Sequence, residues 1–181
     1  MTQPRLALLT GRSDPARTGL PRGQAEFLAA VTPPGLNAVE DGYPWIGGPP
    51  EPPVPLPLAA WRNAVQWRAA RSGAAAATVS ARLRALGGPL VLVTGSCGLD
   101  LLHAGWVAGT CRLVIALGPV MARRPEWPGV RLVTVVGRAD LLSRTLHRAA
   151  PDITVPCAHM GYWTCPETRR EVAAVLKDWA G

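Results

Sequence analysis

The chain has 181 residues, 48% of them hydrophobic, with a formal net charge of +7. That length supports one domain with its own core, and no apolar run reaches the roughly 18 residues of a membrane-spanning helix. Of the 19 basic residues one is a lysine, Lys177, and the charge is spread along both halves, so no basic block marks a nucleic-acid footprint. The opening residues lack the layout of a signal peptide, so the expectation is a soluble, cytoplasmic protein built as a single domain over residues 1–181. Four cysteines, Cys97, Cys111, Cys157 and Cys165, are then expected to be reduced. Cys157-x-His159 with Cys165 lacks the paired spacing of a structural zinc site, and no metal is expected.

In chain order, Arg5 to Thr10 is a short apolar run ending in Gly11 and reads as a buried strand. Pro21 to Val31 reads as a helix with Phe27, Leu28 and Val31 on one face, stopped by Pro33, Pro34 and Gly35. Leu36 to Glu40 reads as a second strand. The segment 44–57 holds seven prolines and is expected to cross the surface as a stiff, extended stretch. Tyr43, Trp45 and Ile46 offer apolar contacts at its start.

Leu58 to Arg71 is expected to be helical, with Trp61 and Val65 one turn apart. Ala74 to Leu86 continues or restarts the helix on a Val79, Leu83, Leu86 stripe. Leu90 to Thr94 is apolar almost throughout, as a central parallel strand is. Leu99 to Ala108 reads as a helix. Arg112 to Leu117 and Arg131 to Val136 read as strands, Asp140 to Ala150 as a helix and Asp152 to Val155 as a last strand. The final helix is expected from Thr164, with Glu167 completing a capping box and Val172, Val175, Leu176 and Trp179 as its stripe. Alternating strands and helices give an α/β domain of about six mainly parallel strands with helices on both faces. Ligands of such sheets sit at the carboxyl ends of the strands.

Three groups stand at those ends. After the strongest strand comes Thr94-Gly95-Ser96-Cys97-Gly98, turning straight into a helix. A small-x-Ser-x-small turn between strand and helix lifts one side chain above the sheet. With Thr94 and Gly98 as flanks, that residue is Ser96. Shifting the frame by one makes it Cys97, with Leu99 as a poorer small flank. After the Arg131 to Val136 strand comes Gly137-Arg138-Ala139-Asp140. Asp140 could cap the next helix or hold a histidine ring. After the last strand comes Cys157-Ala158-His159-Met160-Gly161-Tyr162-Trp163. His159 is in a loop, whereas His103 and His147 fall inside expected helices.

The order Ser96, Asp140, His159, each after a strand, resembles the α/β-hydrolase superfamily. The resemblance rests on TGSCG, VVGRAD and CAHMGYW and covers nearly the whole chain, starting at that family's third strand. It implies a minimal, lidless serine hydrolase. Ser96 would be the nucleophile, His159 the base and Asp140 its partner, acting on an ester or thioester. The backbone N–H groups of Cys97 and Arg12 would form the oxyanion hole, with Thr10 where the family commonly has His. Trp163, Tyr162, Met160, Met121, Trp127 and Trp45 are candidates for the pocket of a small acyl substrate. Arg12, Arg138, Arg123 and Arg124 near the mouth would favour an anionic one. Three other readings remain open from sequence. One is a Cys97 enzyme of the same fold, similar to dienelactone hydrolases. Another is an acyltransferase. The third is a binding protein acting through its proline-rich segment.

Overall fold

The computed structural model describes residues 3–11, 19–39 and 54–180. Most of the proline-rich segment therefore lies outside the described residues, with Tyr43, Trp45 and Ile46. Six strands form one parallel sheet in the order β2-β1-β3-β4-β5-β6. They are β1 (Arg5–Thr10), β2 (Asn37–Ala38), β3 (Leu90–Gly95), β4 (Cys111–Leu117), β5 (Arg131–Gly137) and β6 (Ile153–Val155). The expected second strand shrinks to two residues, paired with Arg5 and Leu6 at the sheet edge.

Both faces of the sheet are covered, which is why the central strands are largely apolar. On one face Leu6, Leu8, Val91, Val93, Leu113 and Ile115 pack against α1 (Arg22–Val31) and α6 (Pro166–Ala180). The expected stripes supply the helix side: Phe27, Leu28 and Val31 from α1, Val172 and Leu176 from α6. On the other face Ala7, Leu9, Leu92 and Val114 meet α2 (Leu56–Arg71), α3 (Ala76–Leu86) and α4 (Gly98–Ala104). The buried stripe of α3 is Val79, Leu83 and Leu86.

Several expectations are corrected. Trp61 and Val65, one turn apart on α2, point outward and are exposed. The packing of α2 instead uses the small residues Ala59 and Ala70 and the half-buried Trp67. The helix after β5 is short, α5 (Leu141–Leu146), because His147 turns to extended backbone and its Nδ1 bonds the Met121 carbonyl. The Thr164 hydroxyl donates to the Gly161 carbonyl, and α6 starts at Pro166. Among the described residues no helix is long and apolar enough to cross a membrane.

The chain runs from β1 to β2 on one side, then crosses back to place β3 on the other side of β1. Adjacent crossovers part at this point, leaving a crevice at the carboxyl ends of β1 and β3. Register aligns those ends: Thr10 faces Gly95, and Gly95 faces Leu117.

Candidate functional site

Ser96 immediately follows β3 and has φ +52°, the only non-glycine residue with positive φ among those described. A side chain in that left-handed region is strained. The strain is held by the Ser96 N–H donating to the Leu117 carbonyl at 3.0 Å and by α4 starting directly afterwards. The close packing of α4 requires glycine at 98, where a Cβ would lie 2.0 Å from the Leu9 carbonyl oxygen.

Asp140 is fully buried and combines the two roles that its position allowed. Its Oδ1 accepts from the Ser143 N–H at 2.9 Å, capping α5. Its Oδ2 lies 2.9 Å from His159 Nδ1. His159 Nε2 lies 3.0 Å from Ser96 Oγ. Three residues spread over 64 positions thus form one hydrogen-bonded line. Burial alone would raise the Asp140 pKa, but the bonds from His159, Tyr162 and the Ser143 N–H outweigh it and hold the carboxyl below its usual range. An ionised carboxylate only accepts, so Nδ1 of His159 carries the proton and Nε2 can accept from the Ser96 hydroxyl. The same shift has a stability consequence. The native carboxylate's bonds stabilise the fold above the unfolded value of 3.8 and are lost as pH falls through the lower native value.

Tyr162 was expected as a pocket residue, and its ring does line the cavity. Its hydroxyl does more. It donates to Asp140 Oδ2 at 2.6 Å and accepts from the Gly137 N–H at 2.7 Å. The Tyr162 pKa is raised, first by burial and then by this bond to a carboxylate, so the phenol stays protonated and remains a donor. Room for the ring comes from Gly118 at φ +53°, where a Cβ would sit 2.5 Å from it. Tyr162→Phe is expected to cost about 1–3 kcal/mol of stability, because the buried Gly137 N–H loses its acceptor. Urea titration measures this, and an unchanged midpoint would contradict it.

The crevice is a cavity of about 340 Å³. Gly11, Ser96, Cys97 and His159 form its polar end, and Trp67, Leu142, Leu146, Met160 and Trp163 give it apolar walls. Trp163 is fixed edge-on against Phe27, with ring centroids 5.2 Å apart. Met121 is a correction: it does not line this cavity but a second one behind it. Trp127 is also elsewhere, buried and stacked on Trp106 at 4.3 Å. Arg12 lies outside the described residues. The sequence reading overlooked Asn63 and Gln24, which line the cavity with Ala59, Ala60 and Ala64. The signal was present in α2: small residues, Asn63 and Trp67 share the helix face opposite Trp61.

Cys97 stands beside Ser96 in sequence but not in chemistry. Its side chain is 1% exposed, packed in the core with Leu9 and Leu99. Burial first, and then the nearby Asp100, push its thiol up to about 12. A thiol so placed stays protonated and is a poor nucleophile.

No family model matches the sequence, and no curated protein does. Solved structures do. The TT1662 protein of Thermus thermophilus superposes with a TM-score of 0.53 at 19% identity, covering 98% of this chain and 89% of that one. A proposed hydrolase of the alpha/beta superfamily from Xanthomonas campestris pv. campestris superposes with a TM-score of 0.52 at 18% identity, over 98% of this chain and 99% of that one. The parallel six-stranded order, the helices on both faces and these superpositions agree: the chain has the α/β-hydrolase fold in a minimal form.

Proposed function

We propose that the chain is a serine hydrolase that cleaves an ester or thioester through an acyl-enzyme. The observation that carries this reading is the line from Ser96 Oγ to His159 Nε2 at 3.0 Å and from His159 Nδ1 to Asp140 Oδ2 at 2.9 Å, set at the mouth of the crevice. Ser96 Oγ attacks the acyl carbonyl while His159 Nε2 takes its proton. The resulting imidazolium is stabilised by Asp140, which keeps its negative charge. The oxyanion is received by the Cys97 N–H. His159 then returns the proton to the leaving oxygen or sulfur as the carbonyl–leaving-group bond breaks. Water, deprotonated by the same nitrogen, attacks the acyl-enzyme and releases the acid and Ser96. The apolar wall formed by Trp67, Leu146, Met160 and Trp163 suits a short acyl chain. No step needs a metal or an organic cofactor.

The test is labelling with a fluorophosphonate probe, which reacts only with an activated serine, followed by mass mapping. The expected label is on Ser96 and is lost in Ser96→Ala and His159→Ala. A folded wild-type protein that takes no label would overturn the reading.

A further inference from the structure

Trp67, Val120 and Leu146 each line two spaces, the crevice of about 340 Å³ and the second cavity of about 630 Å³. Their side chains therefore form a partition. On the crevice side it continues the apolar surface of Leu142, Met160 and Trp163. On the far side the space is larger than the crevice itself. The indole of Trp67 is the largest of the three side chains that keep the two apart.

A partition limits length only if it stays in place, and Trp67 is tied from two elements. Its Nε1 donates to Oδ1 of Asp100 at 3.2 Å, across 33 residues. An indole N–H at a half-buried position needs such an acceptor. Asp100 is 6% exposed and sits in the first turn of α4, the helix that starts directly after the Ser96 turn. Arg71, one turn further along α2, lies over the indole, 5.0 Å from the ring centroid. The bond to Asp100 fixes the edge of the ring, and Arg71 covers one face. Swinging the ring away would break the bond and leave its N–H and the buried carboxylate without each other. Because Asp100 and Ser96 lie at the same end of α4, one short helix sets both the nucleophile and the wall.

We propose that Trp67, positioned by Asp100 and Arg71, ends the acyl part of the crevice and so restricts the enzyme to esters or thioesters of short-chain acids. This rests on the hydrolase reading. Removing the indole joins the crevice to the second cavity and admits longer chains.

The test is kcat/KM of the full chain for nitrophenyl esters from acetyl to decanoyl. In the wild type, the octanoyl ester is expected to react roughly tenfold or more slowly than the butanoyl ester, since its chain meets the indole. In Trp67→Ala the octanoyl-to-butanoyl ratio is expected to rise by roughly tenfold or more, each newly buried methylene adding up to about fourfold. Leu146→Ala opens the same partition from α5 and is expected to move the ratio in the same direction, so the test survives a Trp67 variant that fails to fold. Asp100→Leu removes the acceptor and is expected to raise the ratio by about threefold or more, whereas Asp100→Asn keeps an acceptor oxygen and the wild-type ratio. A ratio separates positioning from stability, because losing folded enzyme slows both esters alike. A wild type that takes octanoyl and butanoyl esters equally well, or an unchanged ratio in both Trp67→Ala and Leu146→Ala, overturns the proposal. A shift that follows the length of the alcohol and not that of the acyl chain overturns the acyl assignment. If the wild type hydrolyses no ester, the hydrolase reading fails and the partition is read by calorimetric titration with 1-octanol. Binding to Trp67→Ala roughly tenfold tighter than to wild type supports the partition, and equal affinity overturns it.

Discussion

Replacing Ser96 with Ala is expected to lower kcat/KM for a short acyl ester by on the order of 10⁴–10⁶. The proposed mechanism has no second nucleophile to take over: the Cys97 thiol is buried and stays protonated. His159→Ala is expected to cost nearly as much. His159 Nε2, 3.0 Å from Ser96 Oγ, is the group placed to take the serine proton. The sharper expectation concerns the double variant. If serine and histidine act as one unit, Ser96→Ala with His159→Ala is no slower than either alone, because the second change removes something already useless. Additive losses would mean that the two side chains act separately and that the hydrogen-bonded line is structural. Measuring kcat/KM for wild type, both single variants and the double variant with a chromogenic ester decides it. Retention of activity within about tenfold in Ser96→Ala would refute the serine mechanism outright.

Gly98→Ala is expected to destabilise the fold by roughly 3 kcal/mol or more, the upper range for an overpacked core. The added methyl would lie 2.0 Å from the Leu9 carbonyl oxygen, 2.9 Å from its carbon and 3.1 Å from Thr10 Cα. All three are backbone atoms of β1, which at Leu9 and Thr10 is paired with Thr94 and Gly95 of β3, so none can swing aside as a side chain would. Relief requires α4 to lift off the sheet, which would also move Ser96 and the Cys97 N–H. Activity is therefore expected to fall along with stability. Gly23→Ala is the control. A Cβ there meets nothing within 4 Å, and the residue sits in α1. It is expected to be neutral or to stabilise by up to about 1 kcal/mol through helix propensity. Urea denaturation of the two variants, followed by far-ultraviolet circular dichroism, checks both signs. Similar midpoints for the two would contradict the packing argument.

The sequence carried most of the layout because the relevant rules are local. Apolar runs at β3, β4 and β5 announced strands covered on both faces. The Phe27, Leu28, Val31 and Val172, Leu176 stripes announced the helices that cover one of them. The turn TGSCG marked an exposed side chain by its small residues, and His159 stood out as the histidine in a loop after a strand. What periodicity could not decide was which long-range partner each side chain meets. A helical wheel of α2 pairs Trp61 with Val65 but does not say that the sheet lies on the other side. Met121 lies in a short segment after β4, and only the course of that segment past α5 sends it to the second cavity. Ser96 and Cys97 are neighbours with similar flanks. Their difference comes from the left-handed turn at Ser96, which aims one side chain into the crevice and the next into the core. The Tyr162 hydroxyl is tied to Asp140 across 22 residues, and Asp100 to Trp67 across 33. The order of elements was thus determined by the sequence alone, through local sterics and hydrophobic period. Burial, charge state and the division of the carboxyl-end surface into two cavities were decided only when the crossovers brought distant segments into contact.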